Sequence, residues 1–297
     1  IYIWEISTGS LLKTLQGHTN RVADLEWNAS GLASLSFEDS TKIWDVSTGV
    51  ATTTFSFPNV SALTIGENIG WSPNLAKLAV AEPERLYTWD TNSENMLGLV
   101  DDYTDSIITA MWHPTDDKIL TSELVGRVRI WDINSGELLN TLGDFTFAHS
   151  VAWSLDGSNI AIGEAGSVSV INSTIGNLDY ELSGPVGSIN AVSWSPDGSK
   201  IASGGSDGLL KIWDATTHNL IVSFDDHVGQ VRSITWSPDS TFIASSSDDS
   251  TVKIWDISSQ TLSHTFSVNS DHIATLAWNL DGSLLAGGGN ESNIYIW

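Results

Sequence analysis

Short runs of alternating apolar and polar residues fill this chain, broken at close intervals by Gly, Asp, Asn and Ser. Between Gly187 and Gln260 the segments INAVSW, KIASGG, LLKIWD and LIVSFD are each six residues long and rich in apolar or β-branched side chains, which predicts four consecutive strands. SPDG at Ser195 to Gly198 and SDG at Ser206 to Gly208 fall between them, and Asp-Gly pairs tolerate the positive φ that tight hairpins demand. Helical spacing of apolar residues is not sustained over an 11-residue window, so an all-β chain of antiparallel hairpins is expected.

Two tryptophan ladders run through this pattern. Trp27, Trp71, Trp112, Trp153, Trp194, Trp236 and Trp278 are separated by 44, 41, 41, 41, 42 and 42 residues. Trp4, Trp44, Trp89, Trp131, Trp213, Trp255 and Trp297 each close an apolar run such as VKIW or IYIW. A period of roughly 40 to 45 residues is the length of one four-stranded propeller blade, whose two faces are buried only by neighbours on either side. One rung of the second ladder is missing: Ile171, in GSVSVIN, stands where GRVRIWD has its indole, and looser packing is expected there.

The units HVGQVRSITWSPDSTFIASSSDDSTVKIWD and INAVSWSPDGSKIASGGSDGLLKIWD resemble WD repeats, and the resemblance covers nearly the whole chain. It implies a seven-bladed WD-repeat β-propeller with four-stranded antiparallel blades. It also implies a hydrogen-bonded structural network in each blade, made by a His before the first strand, a Ser or Thr in the second, an Asp in the next turn and the Trp of the third. One unit has the full set: His227, Ser245, Asp249 and Trp255. His18, Ser34 and Trp44 match with Glu38 in place of the Asp, whereas Ser203, Asp207 and Trp213 match where Pro185 has replaced the His. Tyr103 occupies the His position of a further unit.

The chain of 297 residues is 41% hydrophobic, enough for one large core, and residues 1–297 are read as a single propeller domain. IYIWEI at the beginning and NIYIW at the end are copies of one element. The expected closure joins the termini, with the outer strand from Ser10 to Leu15 completing the sheet of residues 271–297, which removes free edges. The first residue is Ile1 rather than Met, as in a processed chain or a segment of a longer one. No compartment is marked, and the cytoplasm is the default.

Chemistry is sparse. Without cysteine, thiolate catalysis, disulfides and zinc-thiolate sites are excluded. The seven histidines are scattered singly rather than at metal-ligand spacing, so no metal and no cofactor is expected. Gly204 to Gly208 has G-x-S-x-G spacing, but a nucleophile elbow needs a strand-to-helix turn and here two repeat strands flank it. The reading is of a protein that is not an enzyme.

Twelve basic against 36 acidic residues give a formal charge of −24, which disfavours nucleic acid and anionic membranes as partners. Loops joining fourth to first strands share a rim with those joining second to third strands. On that rim seventeen acids, among them Glu38, Asp102, Asp225, Asp226 and Asp271, face only Arg21, Arg85, Arg127 and Arg232. Tyr103, Phe145, Phe147 and His149 fall in the same loops, and aromatics beside carboxylates suit a Lys- or Arg-bearing peptide. The expected function is a non-catalytic protein-interaction scaffold that holds a neutral or basic peptide or folded protein on this acidic rim. The alternatives are a ligand-sensing or enzymatic propeller using its central channel, or the sensor domain of a larger signalling protein.

Overall fold

The computed structural model describes residues 2–5, 10–19, 22–28, 31–36, 40–56, 68–82, 84–103, 105–146, 148–267, 273–283, 285–289 and 294–296. Strands joined by turns and loops make up this chain, and no helix is present among the described residues. Packing divides it into two compact units, Ile1–Thr141 and Leu142–Trp297.

β1 (Tyr2–Glu5) and β2 (Ser10–Thr14) pair in a two-stranded sheet. Three four-stranded meanders follow: β3 (Val22–Asn28), β4 (Gly31–Ser36), β5 (Ser40–Asp45) and β6 (Val50–Ser56); β7 (Asn68–Trp71), β8 (Lys77–Glu82), β9 (Arg85–Asp90) and β10 (Met96–Val100); β11 (Ile107–Trp112), β12 (Lys118–Glu123), β13 (Arg127–Asp132) and β14 (Leu138–Asp144), the last crossing the boundary between the units. The second unit continues with β15 (Ser150–Trp153), β16 (Asn159–Gly163), β17 (Ala165–Asn172), β18 (Leu178–Trp194), β19 (Lys200–Gly205), β20 (Leu210–Asp214) and β21 (Leu220–Phe224). It ends with β22 (Val231–Trp236), β23 (Phe242–Ser247), β24 (Thr251–Asp256) and β25 (Thr261–Ser267), then β26 (Ile273–Trp278), β27 (Leu285–Gly289) and β28 (Ile294–Ile296). Every recorded pairing is antiparallel, as the turn chemistry predicts.

Two departures from simple four-stranded repeats have local causes. β18 runs unbroken for 17 residues, serving as outer strand of one repeat and inner strand of the next, so β15 to β21 form one seven-stranded sheet. Its Gly184-Pro185-Val186-Gly187 stretch stays extended where the other repeats break into a loop. At the termini, Ser10–Thr14 pairs with Tyr2–Glu5, and β26, β27 and β28 form a three-stranded sheet, so the closure expected from the sequence is not detected. β1 and β2 are neighbours in the chain, and their pairing closes a far shorter loop than one across the length of the chain, which loop entropy favours.

Apolar faces are buried between consecutive sheets. Ala33, Leu35 and Phe55 pack with Ile69, Trp71 and Leu78; Ala79, Ala81 and Leu86 pack with Tyr103, Ile107 and Trp131; Ala202, Leu210 and Ile212 pack with Val231, Ile234 and Trp236. Some members of the first tryptophan ladder stitch neighbours as well as filling space. Trp112 Nε1 donates to the Gly70 carbonyl at 2.8 Å, and Trp278 Nε1 to that of Thr235 at 3.2 Å. Inner strands add a polar seam, in which Asp24 accepts from Ile69 N at 3.0 Å and Ser150 Oγ from Val192 N at 2.9 Å.

Burial is kept where the indole is missing, contrary to the looser packing expected. Ile171 is buried opposite Ile160, and Ile162, which holds the place Ser245 has in the complete repeat, is buried too. Indole and hydroxyl have been exchanged together for aliphatic groups, so neither is left without its partner.

Candidate interaction surface and its frame

Within a repeat, the loop between second and third strands is tied to the segment leading into the first strand. Leu124 N donates to Ser106 O at 2.8 Å, Ser206 N to Ser188 O at 2.9 Å and Asp248 N to Gln230 O at 3.0 Å. The two loop classes therefore share an edge, as the sequence predicts.

The best-defined part of that edge surrounds His227. Trp255 Nε1 donates to Ser245 Oγ at 2.8 Å, His227 Nε2 lies 2.8 Å from the same hydroxyl, and His227 Nδ1 lies 2.8 Å from Asp249 Oδ2. Burial lowers the His227 pKa and hydrogen bonds from Thr251 and His227 lower that of Asp249 against its own partial burial, so a neutral imidazole faces a carboxylate. The protons then run one way: indole to hydroxyl, hydroxyl to Nε2, Nδ1 to carboxylate. Ser, His and Asp stand here in the order of a hydrolase triad, but Ser245 is fully buried and its oxygen already accepts from Trp255. No acyl group can reach it, and the chain acts as a brace.

Other repeats vary the brace. His18 Nε2 lies 2.6 Å from Ser34 Oγ, which accepts from Trp44 Nε1 at 2.7 Å; Glu38 lies outside the described residues. In the repeat without the His, Ser203 is buried and its hydroxyl has no hydrogen-bond partner, while Asp207 caps its own turn by accepting from Leu209 N at 3.0 Å. G-x-S-x-G at Gly204 to Gly208 is that β19–β20 hairpin, closed by Gly208 N donating to Gly205 O.

Tyr103 must be moved from rim to frame. It is 8% exposed, its hydroxyl lies 3.5 Å from Thr121 Oγ1, and Thr121 accepts from Trp131 Nε1 at 3.0 Å, so the phenol takes the imidazole's place. Arg129 lies over both the Tyr103 and Trp131 rings at 5.7 Å, pairs with buried Glu123 at 3.1 Å and donates to Asp102 O at 2.6 Å. Glu123 is thereby also removed from the acids open to a partner.

What is left at the surface differs between units. In the first unit Asp101 and Asp102 are exposed, as are Leu124 and Val125. In the second, Asp225, Asp226 and His149 are exposed and Phe145 is half-buried; Phe147 and Asp271 lie outside the described residues. Val228, which the sequence reading passed over, is 94% exposed beside Asp225 and Asp226. This loop is wedged in place. A Cβ on Gly208, whose φ is +83°, would lie 2.7 Å from His227 O, and one on Gly229 would lie 2.6 Å from Asp249 N. Arg232 is held by Asp248 through bonds of 2.8 and 2.6 Å, so it does not offset the free carboxylates. Among the described residues no group of three or more His, Asp or Glu is placed to hold a metal ion.

The description "WD domain, G-beta repeat" of the WD40 family matches residues 9–45, 176–214, 218–256 and 260–297, just over half of the chain. The chain belongs to the WD40 family. WD40 domains are typically protein-interaction scaffolds, and WD40 proteins generally bind protein partners. This WD40 chain is 25% identical to autophagy-related protein 16 of Arabidopsis thaliana over 72% of its own length and 43% of that protein's. It is 26% identical to eukaryotic translation initiation factor 3 subunit I of Drosophila yakuba, over 71% of this chain and 86% of that one. With meiotic fizzy-related protein 1 of Schizosaccharomyces pombe it shares 24% identity over 72% of this chain and 52% of that protein.

Proposed function

We propose that this WD40 chain is a non-catalytic scaffold that binds a neutral or basic protein, as peptide or folded domain, through the acidic edge carrying Asp225 and Asp226. The observation that carries this reading is the loop at residues 225–230: two exposed carboxylates and an exposed Val228 on a backbone pinned by Gly208 and Gly229. A rigid loop loses little entropy on binding, and carboxylates beside an aliphatic contact give charge pairing with a desolvated centre. Exposed Asp101 and Asp102, with exposed Leu124 and Val125 in the loop that Leu124 N ties to Ser106 O, are a second acidic and apolar set in the first unit.

The test begins with partners co-purified with the chain and identified. Affinity for each is then measured with the wild type and with Asp225→Lys/Asp226→Lys, at low and high salt. Reversal is expected to weaken binding by about tenfold or more at low salt and to flatten the salt dependence, with an unchanged melting curve. Equal affinities at both salt concentrations would overturn the reading.

A further inference from the structure

Outer strands show one side to solvent, and single apolar side chains open several of them, such as Val50 in β6, Leu178 in β18 and Leu220 in β21, while the rest of β6 (VATTTFS) and β25 (TLSHTFS) is largely polar. β10 reads MLGLV, and Met96, Leu97 and Leu99 are 47%, 46% and 41% exposed. The neighbouring outer strand β14 opens with Leu138 and Leu139, 41% and 48% exposed. The two sheets meet at this point, since a Cβ on Gly98 would lie 3.7 Å from the carbonyl oxygen of Ile133. Asp132 N donates to Glu137 O at 3.0 Å, folding the chain back so that Leu138 follows beside that contact. Exposed outer strands are ordinarily protected by Lys or Pro, and β10 has neither. Contiguous exposed apolar side chains mark binding surfaces, and methionine adapts readily to what it meets.

We infer that the patch formed by β10 and the start of β14 docks a short, extended apolar segment of a partner protein flanked by Lys or Arg. Charge selects this occupant. Glu94 and Glu137 precede the two strands and Asp101 and Asp102 follow β10, all four exposed. A second copy of the chain, meeting the patch through the same patch, sets these acids against themselves on a molecule of formal charge −24. Basic flanks on an apolar segment meet the same acids favourably. The surface is separate in sequence and repeat from the Asp225–Asp226 loop, so either proposal can fail alone.

Met96 and Met111 are the two methionines of the chain, so ¹³C-methyl methionine labelling gives one reporter on the patch and one in the inner strand β11. The probe is a synthetic peptide of five alternating Leu and Val residues with two Lys at each end, compared with a twin carrying Glu at the ends. The Lys-ended peptide is expected to shift Met96 saturably and leave Met111 in place, with the Glu-ended twin at least about tenfold weaker. Leu97→Asp/Leu139→Asp should abolish the effect, and Asp225→Lys/Asp226→Lys should leave it within about twofold. Should the patch variant fold poorly, the comparison of the two peptides on wild-type protein decides alone. Equal affinity for the two peptides, no shift at Met96, or self-association that the patch variant abolishes would each overturn the inference.

Discussion

At the scale of single residues, the brace shows how a polar side chain is worth what its partners make it. Ser245 relays between Trp255 and His227, whereas Ser203 is equally buried and bonded to nothing. Ser245→Ala leaves an indole N–H and an imidazole nitrogen buried without partners and is expected to cost about 1–3 kcal/mol, while Ser203→Ala removes an unsatisfied hydroxyl and is expected to be neutral or stabilising. Urea unfolding of the two variants checks this, and equal losses would contradict it. Glu26 gives a second case. Burial, with a contribution from Asp24, raises its pKa to about 8 against the hydrogen bond it accepts from Trp71 N at 2.6 Å. The folded chain then holds a proton that the unfolded chain releases above the ordinary glutamate value of 4.5, so stability falls as pH rises from there towards 8. Glu26→Gln should remove that decline and gain most over wild type above pH 8, measured as melting temperature against pH. His227 acts in the opposite sense: its lowered pKa makes the unfolded chain the better proton binder, so its contribution is intact above 6.5 and falls away as pH drops below it.

Elements were legible in the sequence to the extent that their signals were local. Strand patterns, Asp-Gly turns and the 41- to 44-residue spacing gave the repeats and their antiparallel order, because each depends on neighbours in the chain. The complete brace of His227, Ser245, Asp249 and Trp255 was legible as well. Three things were not. Tyr103 matches the His position of its repeat and also falls among the rim aromatics, and nothing local decides between the two, because Arg129 and Glu123 that cover it come from later strands. Trp112 and Trp278 of the first ladder give no sign in the sequence of their bonds to the preceding repeat, because the partner is far along the chain, 42 residues away for Trp112 and Gly70. Aspartates after the third-strand indole were overlooked too, although Asp45 accepts from Ser47 N and Oγ, Asp90 from Ser93 N and Oγ, and Asp256 from Ser258 N and Oγ. Ile171 supplies the prediction at this scale. Ile171→Trp alone brings an indole against Ile162 and is expected to cost about 1–3 kcal/mol, whereas Ile171→Trp with Ile162→Ser restores the hydroxyl partner and should recover part of that loss. Strictly additive losses would mean that the two positions do not act as a pair.

For the whole molecule, charge and turn chemistry pull in opposite directions as pH changes. Thirty-six acids against twelve bases repel one another at neutral pH, so added salt should raise the melting temperature there, and acidification should at first do the same by reducing the charge. The turn aspartates set the lower limit. Hydrogen bonds from Ser47 and Thr48 lower the Asp45 pKa to about 2, and bonds from Ser93, Ser237 and Ser258 likewise lower those of Asp90, Asp239 and Asp256. Each such carboxylate favours the folded chain above the ordinary aspartate value of 3.8 and loses that contribution as pH falls through its folded pKa. Because the device recurs from repeat to repeat, the losses coincide and acid unfolding should be steep below pH 4. Calorimetry across pH 3 to 8 at low and high salt is therefore expected to show a stability maximum on the acid side of neutrality, with a salt effect that is large at pH 8 and shrinks as the net charge approaches zero. A salt effect of the same size at every pH would show that it comes from screening of local ion pairs or from general exclusion, and that the crowd of acids is not what limits the fold.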